Sequence, residues 1–253
     1  MNKQILLGTL FSFAAINTPL HAEPLNVMAY NIMQLSVQDW DQANRAQRLP
    51  AAITSLPTTP DVLLISEAFN GEAEQALAAL ATSYPYQTPN VGQDCSGKGW
   101  DSFAGPCSNS PFVIRGGVVI VSKYPIVRQE AQVFSHSLKG SWDYYANKGF
   151  AYVEIVKNGE PFHLIATHLQ ATHDDDTQAE HQVRLGQLGE IKQFIDAKQI
   201  PSSEAVIVGG DMNVEWSKPT EVSDMLTMLD ARCSTSLCPR RPWYLFSETQ
   251  LVH

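Results

Sequence analysis

Four short apolar runs in this chain each end on a side chain suited to holding a metal ion or a phosphate. Residues 25–30 lead into Asn31, 62–66 into Glu67, 162–167 into His168, and 206–210 into Asp211, with Met212 and Asn213 following. One polar residue after a strand is commonplace, because strands stop in polar loops. Four of them, an amide, two carboxylates and an imidazole, can act together only if the strand exits converge. A fold that gathers several exits at one end of a sheet system meets that requirement.

The ends of the chain and its charge limit the rest. Lys3, a mostly apolar stretch from Ile5 to Ile16, and then Leu20, His21 and Ala22 read as a signal peptide over 1–22, cleaved after Ala22. The apolar stretch is shorter than the roughly 20 residues a spanning helix needs. Residues 23–253 then form one exported domain, periplasmic or extracellular. The formal net charge is −9; without the leader, 16 basic and 26 acidic residues leave −10. That balance offers no basic footprint for a stable nucleic-acid partner, although a bound cation would invert the field locally. Cys95, Cys107, Cys233 and Cys238 are even in number, which in an exported protein favours disulfides. Three connectivities exist. The local pairing, Cys95 with Cys107 and Cys233 with Cys238, closes short loops and is preferred over a zinc site, whose ligand spacing is absent.

Strands are expected over 25–31, 61–67, 117–122, 150–156, 162–168 and 205–211. Several are continuously apolar, as in a sheet covered on both faces. Lys157-Asn158-Gly159-Glu160 joins two of them, and Asn-Gly is a strong hairpin signal. Helices are expected over 71–82 and 179–198; the second carries Leu185, Leu188, Ile191 and Ile195 as a stripe with Phe194 beside it. Residues 91–110, rich in Gly, Ser, Pro and Cys, predict a long pinned loop. Antiparallel pairs with helices between them favour a two-sheet α/β sandwich over a doubly wound sheet.

Each exit has a bland reading beside the chemical one. Glu67 suits Mg²⁺, a hard cation that prefers oxygen ligands, but an acid there also suits the start of the next helix. Asn31 would add a carbonyl oxygen, yet Asn is common in turns. Asp211 would orient water or an imidazole and Asn213 would donate its amide to a phosphoryl oxygen; an Asp-containing turn is the alternative. His168 as imidazolium would neutralise a phosphate or protonate a leaving oxygen; otherwise it is a satisfied, half-buried histidine. His163 has the opposite strand parity and faces away. Asp174-Asp175-Asp176 reads as a solvated loop. Trp142-Asp143-Tyr144-Tyr145, near Lys139 and Lys148, suits either a lipid interface or packing on a sheet edge. Together the exits suit metal-assisted phosphodiester hydrolysis.

The segments Asn-Val-Met-Ala-Tyr-Asn (26–31), Leu-Ile-Ser-Glu-Ala-Phe (64–69), Gly-Gly-Val-Val-Ile-Val-Ser-Lys-Tyr-Pro-Ile (116–126), Asn-Lys-Gly-Phe (147–150), Ala-Thr-His-Leu-Gln-Ala (166–171) and Gly-Gly-Asp-Met-Asn-Val (209–214) resemble the endonuclease/exonuclease/phosphatase superfamily. Within it they are most similar to secreted bacterial neutral sphingomyelinases. The resemblance implies a four-layer α/β/β/α sandwich of the deoxyribonuclease I-like kind, with two mainly antiparallel sheets. It also implies cleavage of sphingomyelin to ceramide and phosphocholine by a monomer at a membrane surface, dependent on Mg²⁺ or another divalent cation. Glu67 would be the main metal ligand with Asn31 beside it, and His168, Asp211 and Asn213 would line the phosphate. The family closes with further strands, a membrane-touching aromatic hairpin and an Asp-His pair holding the general base. None of these precedes His253, so a C-terminally truncated domain without those strands is expected. The alternatives are a secreted nuclease of the same fold and an inactive lipid- or metal-binding fragment.

Overall fold

The computed structural model describes residues 24–36, 39–173, 177–215, 217–233 and 243–247. The leader at 1–22, the acidic run at 174–176, Cys238 and His253 lie outside them. The first half of the chain forms β1 (Val27–Asn31), α1 (Gln42–Thr54), β2 (Val62–Ser66), α2 (Gly71–Leu80), β3 (Tyr86–Gln87), β4 (Ser102–Ala104), β5 (Ile114–Arg115), β6 (Val119–Ser122) and β7 (Ile126–Val133). A 3-10 turn (Trp142–Tyr145) follows, then β8 (Ala146–Asn147), β9 (Gly149–Lys157), β10 (Glu160–His168), α3 (Thr177–Lys198), β11 (Ala205–Asp211), α4 (Pro219–Met228), β12 (Arg232–Cys233) and β13 (Trp243–Ser247).

The continuously apolar strands serve two cores at once. In β2, Leu63 and Ile65 pack outward with Leu49, Ile53, Leu77 and Leu80 of α1 and α2. Their neighbours Val62 and Leu64 turn inward to meet Val153, Ile155, Leu164 and Ile207 from the facing sheet. On the far side of that sheet, Phe150, Tyr152, Ile165 and Val208 pack with Leu188, Ile191 and Ile195 of α3 and Met225 of α4. Because successive strand residues point to opposite faces, these three clusters define four layers: helices, small sheet, large sheet, helices. Each fully buried aliphatic side chain contributes about 1.5–3 kcal/mol.

The small sheet has the order β1-β2-β6-β3 and the large one β12-β13-β11-β10-β9-β7-β4, with β5 and β8 paired separately. Strand directions are mixed rather than mainly antiparallel. The Asn158-Gly159 turn, with both residues at positive φ, joins β9 and β10 as an antiparallel hairpin. The α1 and α3 crossovers, by contrast, return the chain in the same direction, so β1 runs parallel to β2 and β10 to β11. On its other side β11 pairs in parallel with the backbone of β13.

Local chemistry sets the helix limits. Asn70, in extended conformation, caps α2 by accepting the Ala73 N–H at 2.9 Å, and Glu72 and Glu74 lie in the first turn. The predicted stripe on α3 faces the core, with Leu188, Ile191 and Ile195 buried and Leu185 and Phe194 packed against them. Helix α1 was not foreseen, because Pro50 lies inside it and lacks an N–H for the helical ladder. Its buried side, Ala46, Leu49 and Ile53, holds it against the small sheet.

The Gly209-Gly210 pair brings two backbones together. Gly210 has φ 126°, and a Cβ there would sit 2.0 Å from the Thr167 carbonyl oxygen. Gly210→Ala is expected to lower unfolding stability by about 3 kcal/mol or more. Urea denaturation checks this; a loss below about 0.5 kcal/mol would show that β10 and β11 can separate at little cost.

Candidate active site

The parallel registers place the exits side by side. Asn31 pairs with Ser66, so Glu67 emerges just beyond it, and His168 pairs directly with Asp211. Since the small and large sheets face each other, all four meet at one end of the sandwich. The Asn31 amide nitrogen donates to Glu67 Oε1 at 2.7 Å and to Asp211 Oδ2 at 2.9 Å. Donor atoms of Glu67, His168 and Asp211 lie within 4.8 Å of one another. Asn213 follows, its backbone N–H bonded to Asp211 Oδ1 at 3.0 Å and its side-chain amide donating to the Leu169 carbonyl at 2.9 Å.

The bland readings separate here. Glu67 does not cap α2, because Asn70 does. Glu67 and Asn213 both adopt left-handed backbone, with φ of 58° and 49°. Such strain in non-glycine residues costs on the order of 1 kcal/mol and gathers at functional sites. Asp211 Oδ1 closes an Asp turn with Asn213, while Oδ2 accepts from the Asn31 amide and lies 3.8 Å from His168 Nε2. His163 faces away as its parity demands, bonded to the Tyr152 hydroxyl and Glu204.

Two charged residues to which the sequence reading gave no role in the site, Lys148 and Asp143, complete it. Lys148 is buried, with Nζ 3.2 Å from His168 Nε2, 2.8 Å from Asp143 Oδ1, and donating to the Leu169 carbonyl at 3.0 Å. Asp143 also accepts the Ala171 N–H at 2.6 Å, fixing the segment after His168. The signal for Lys148 was its place in Asn-Lys-Gly-Phe immediately before a buried strand, where a free lysine would have no water. Asp143 was masked by the aromatics around it.

Electrostatics refine the roles. Burial raises the Glu67 pKa above its ordinary value; the Asn31 hydrogen bond opposes this, and the Asp211 charge adds to it. Burial also works against charge on Asp211, but the His168 side of the site and hydrogen bonds from Asn31 and Asn213 hold its pKa low. Burial opposes the Asp143 charge too, yet Lys148 and the Ala171 amide keep it below the usual carboxylate range. Burial and then Lys148 push His168 down to about 4. Burial therefore favours the uncharged ring of His168, and the Lys148 ammonium stands beside it. Lys148 donates to Nε2, and Nδ1 is buried with no partner among the described residues.

Two nearby carboxylates in a buried setting, one with a raised pKa, fit a hard divalent cation through their oxygen donors. Asn31 departs from expectation: its Oδ1 accepts the Met33 N–H at 2.9 Å, and its nitrogen, not its oxygen, faces the carboxylates. The amide occupies the cation's electrostatic position and would have to turn to offer oxygen.

Residues 28–243 match the Endonuclease/Exonuclease/phosphatase family, and the chain belongs to it. Within that family its relatives are bacterial sphingomyelinases. It is 41% identical over 177 residues to sphingomyelinase C of Leptospira interrogans, covering 70% of this chain and 31% of that one. Against sphingomyelinase C of Bacillus cereus it is 37% identical over 242 residues, 89% of this chain and 70% of the relative. The chain thus spans only part of these longer proteins. Among solved structures, sphingomyelinase C from Streptomyces griseocarneus superposes with a TM-score of 0.75 at 36% identity, over 84% of this chain and 71% of that one. A beta toxin mutant from Staphylococcus aureus with bound magnesium ions gives the same score and identity, over 82% and 70%.

Cys95 and Cys107 form the expected disulfide. Cys238, the expected partner of Cys233, lies outside the described residues.

The cation test is thermal. Millimolar Mg²⁺ is expected to raise the unfolding midpoint by several degrees, since a chain of this size gains about 2–4 °C per kcal/mol. Glu67→Gln should abolish the rise. An undiminished rise in that variant would remove Glu67 from the metal site.

Proposed function

We propose that this chain is a Mg²⁺-dependent phosphodiesterase that hydrolyses sphingomyelin to ceramide and phosphocholine. The observation that carries the reading is the convergence of Glu67, Asn31, Asp211 and His168 from two sheets onto one half-buried point. Relatives named sphingomyelinase C support the choice of substrate.

Glu67 and Asp211 would hold the cation, with Asn31 adjoining once its amide turns. When bound, the cation supplies charge that polarises a phosphoryl oxygen. The chain's own residues define the other half of the site. The Lys148 ammonium stands beside His168 Nε2, where an anion gains a partner without a competing proton transfer. Asp143 keeps that ammonium aimed and balances its charge until an anion arrives. His168, neutral and packed near Phe69 with ring centroids 6.2 Å apart, offers a nitrogen that can take up or pass on a proton as the ester oxygen leaves. Asn213, locked to Leu169 and Asp211, sets the position of the loop on this side. Hydrolysis forms a phosphorus–oxygen bond from water and breaks the bond to the ceramide oxygen, which leaves with a proton.

Export fits this reading. The leader-like segment at 1–22 precedes the domain, the Cys95–Cys107 disulfide suits an oxidising compartment, and no helix of the described residues is long and apolar enough to cross a membrane.

The decisive assay is phosphocholine release from sphingomyelin vesicles with Mg²⁺ and with chelator. Wild type should need the cation, and both Glu67→Gln and Lys148→Met should lose about a hundredfold or more in rate. Turnover that persists in chelator would sink the metal assignment, and plasmid nicking that outpaces lipid cleavage would transfer the site to a nuclease.

A further inference from the structure

We propose that the surface formed by Phe112, Ile114, Trp142, Tyr144 and Tyr145 docks this protein on a zwitterionic lipid bilayer. The choice of a lipid partner rests on the phosphodiesterase reading above; the surface itself rests on geometry and charge.

Among the described residues, five of the ten exposed large hydrophobic side chains lie on this ridge. Phe112 is 80% and Trp142 79% exposed. They come from separate segments that the fold joins: β5 carries Ile114 and pairs in parallel with β8, which follows directly on the 3-10 turn bearing the Trp and the two Tyr residues. Scattered exposed apolar residues need no explanation, but a contiguous group marks an interaction surface.

The ridge is also built to stay exposed. Asn147 accepts the Ser108 N–H at 2.9 Å and donates to the carbonyls of Gly92 and Ser108 at 2.9 and 3.0 Å. The Cys95–Cys107 disulfide closes the same loop. Phe112 N–H donates to Ser110 Oγ at 3.3 Å and Val113 N–H to the Ser110 carbonyl at 3.0 Å. The loop is thus held in place, and Phe112 does not fold back onto the core.

Charge points to the bilayer as occupant. The chain carries a net −9, yet residues 105–115 and 137–147 contain one carboxylate, Asp143. Asp143 is buried in its ion pair with Lys148. Glu74, half-exposed, reaches this segment from α2 but is paired with Arg115, so these carboxylates are both paired with cations, and Lys139 lies at the border. Trp and Tyr, apolar with one polar tip, suit the headgroup level, while Phe and Ile suit the acyl boundary. The buried residue between these aromatics, unlike the exposed rings, belongs to the site. Asp143 sits between Trp142 and Tyr144, and its carboxylate holds Lys148 and the Ala171 amide. A bilayer on the ridge brings its headgroups to the mouth of the phosphate seat.

The test separates docking from chemistry. The full chain and a Phe112→Ser/Trp142→Ser double variant would be sedimented with phosphatidylcholine vesicles in chelator, where no turnover is needed. Both would also be assayed with Mg²⁺ on a water-soluble phosphocholine ester, with thermal unfolding as the folding control. The variant should partition about tenfold or more weakly while its ester turnover stays within about twofold. Trp142→Phe should keep most of the binding. Equal partitioning of variant and wild type, or no partitioning of wild type, overturns the proposal and would leave the ridge to a protein partner. Ridge-dependent binding by a wild type that cleaves neither lipid nor ester would uphold the docking surface and refute the proposed activity instead.

Discussion

The Asn31 side chain holds two partly buried carboxylates that belong to different sheets. Glu67 follows a strand of the small sheet and Asp211 ends a strand of the large one, yet both accept from the same amide nitrogen. Two such groups in a low-dielectric setting repel, and the Asp211 charge adds to the rise that burial causes in the Glu67 pKa. The sheets could lower this cost by splaying at that end. They do not, because Val62, Leu64, Val153, Ile155 and Leu164 are packed between them throughout. The inter-sheet core thus keeps the acids together, and a divalent cation at that point relieves the repulsion.

The same reasoning explains why Lys148 is tolerated without water. An isolated buried ammonium is expensive. Asp143 pairs with it, the Leu169 carbonyl accepts a second N–H, and burial together with Lys148 lowers the His168 pKa. The site therefore has a negative half, Glu67 and Asp211, and a positive half, Lys148, joined across His168. A phosphodiester bound with a cation has the complementary pattern. The left-handed backbones of Glu67 and Asn213, at opposite sides of this arrangement, show local conformation yielding to the placement of side chains.

Much of this was legible in the residues. A strand's last side chain is fixed by the strand, so Asn31, Glu67, His168 and Asp211 could be read from where the apolar runs stop. Asn158-Gly159 announced a hairpin because few residues adopt two successive positive φ values, and the stripe on α3 followed from helical period. What failed to show had specific causes. Pro50 hid α1, since a proline in a helix is normally a break and only packing compensates. Lys148 lies outside any periodic pattern, and its burial depends on Asp143 and Leu169, which arrive from other segments. Mixed strand direction could not be read because a crossover helix and a loop look alike until the chain is paired. The neutral state of His168 and the orientation of the Asn31 amide are collective properties of several neighbours, and a residue type alone cannot carry them.

The 3-10 turn joins the two functions assigned to this end of the molecule. Its single buried member, Asp143, is ionised through Lys148 and fixes the segment after His168. Its exposed members are aromatic. Moving the turn outward would lengthen the 2.8 Å ion pair and leave a charge uncompensated; moving it inward would bury Tyr and Trp polar atoms without partners. The turn is therefore held in position from both sides. A surface that met a bilayer through these aromatics would transmit its orientation to Lys148 without any large conformational change, because the carboxylate and the rings lie on consecutive residues.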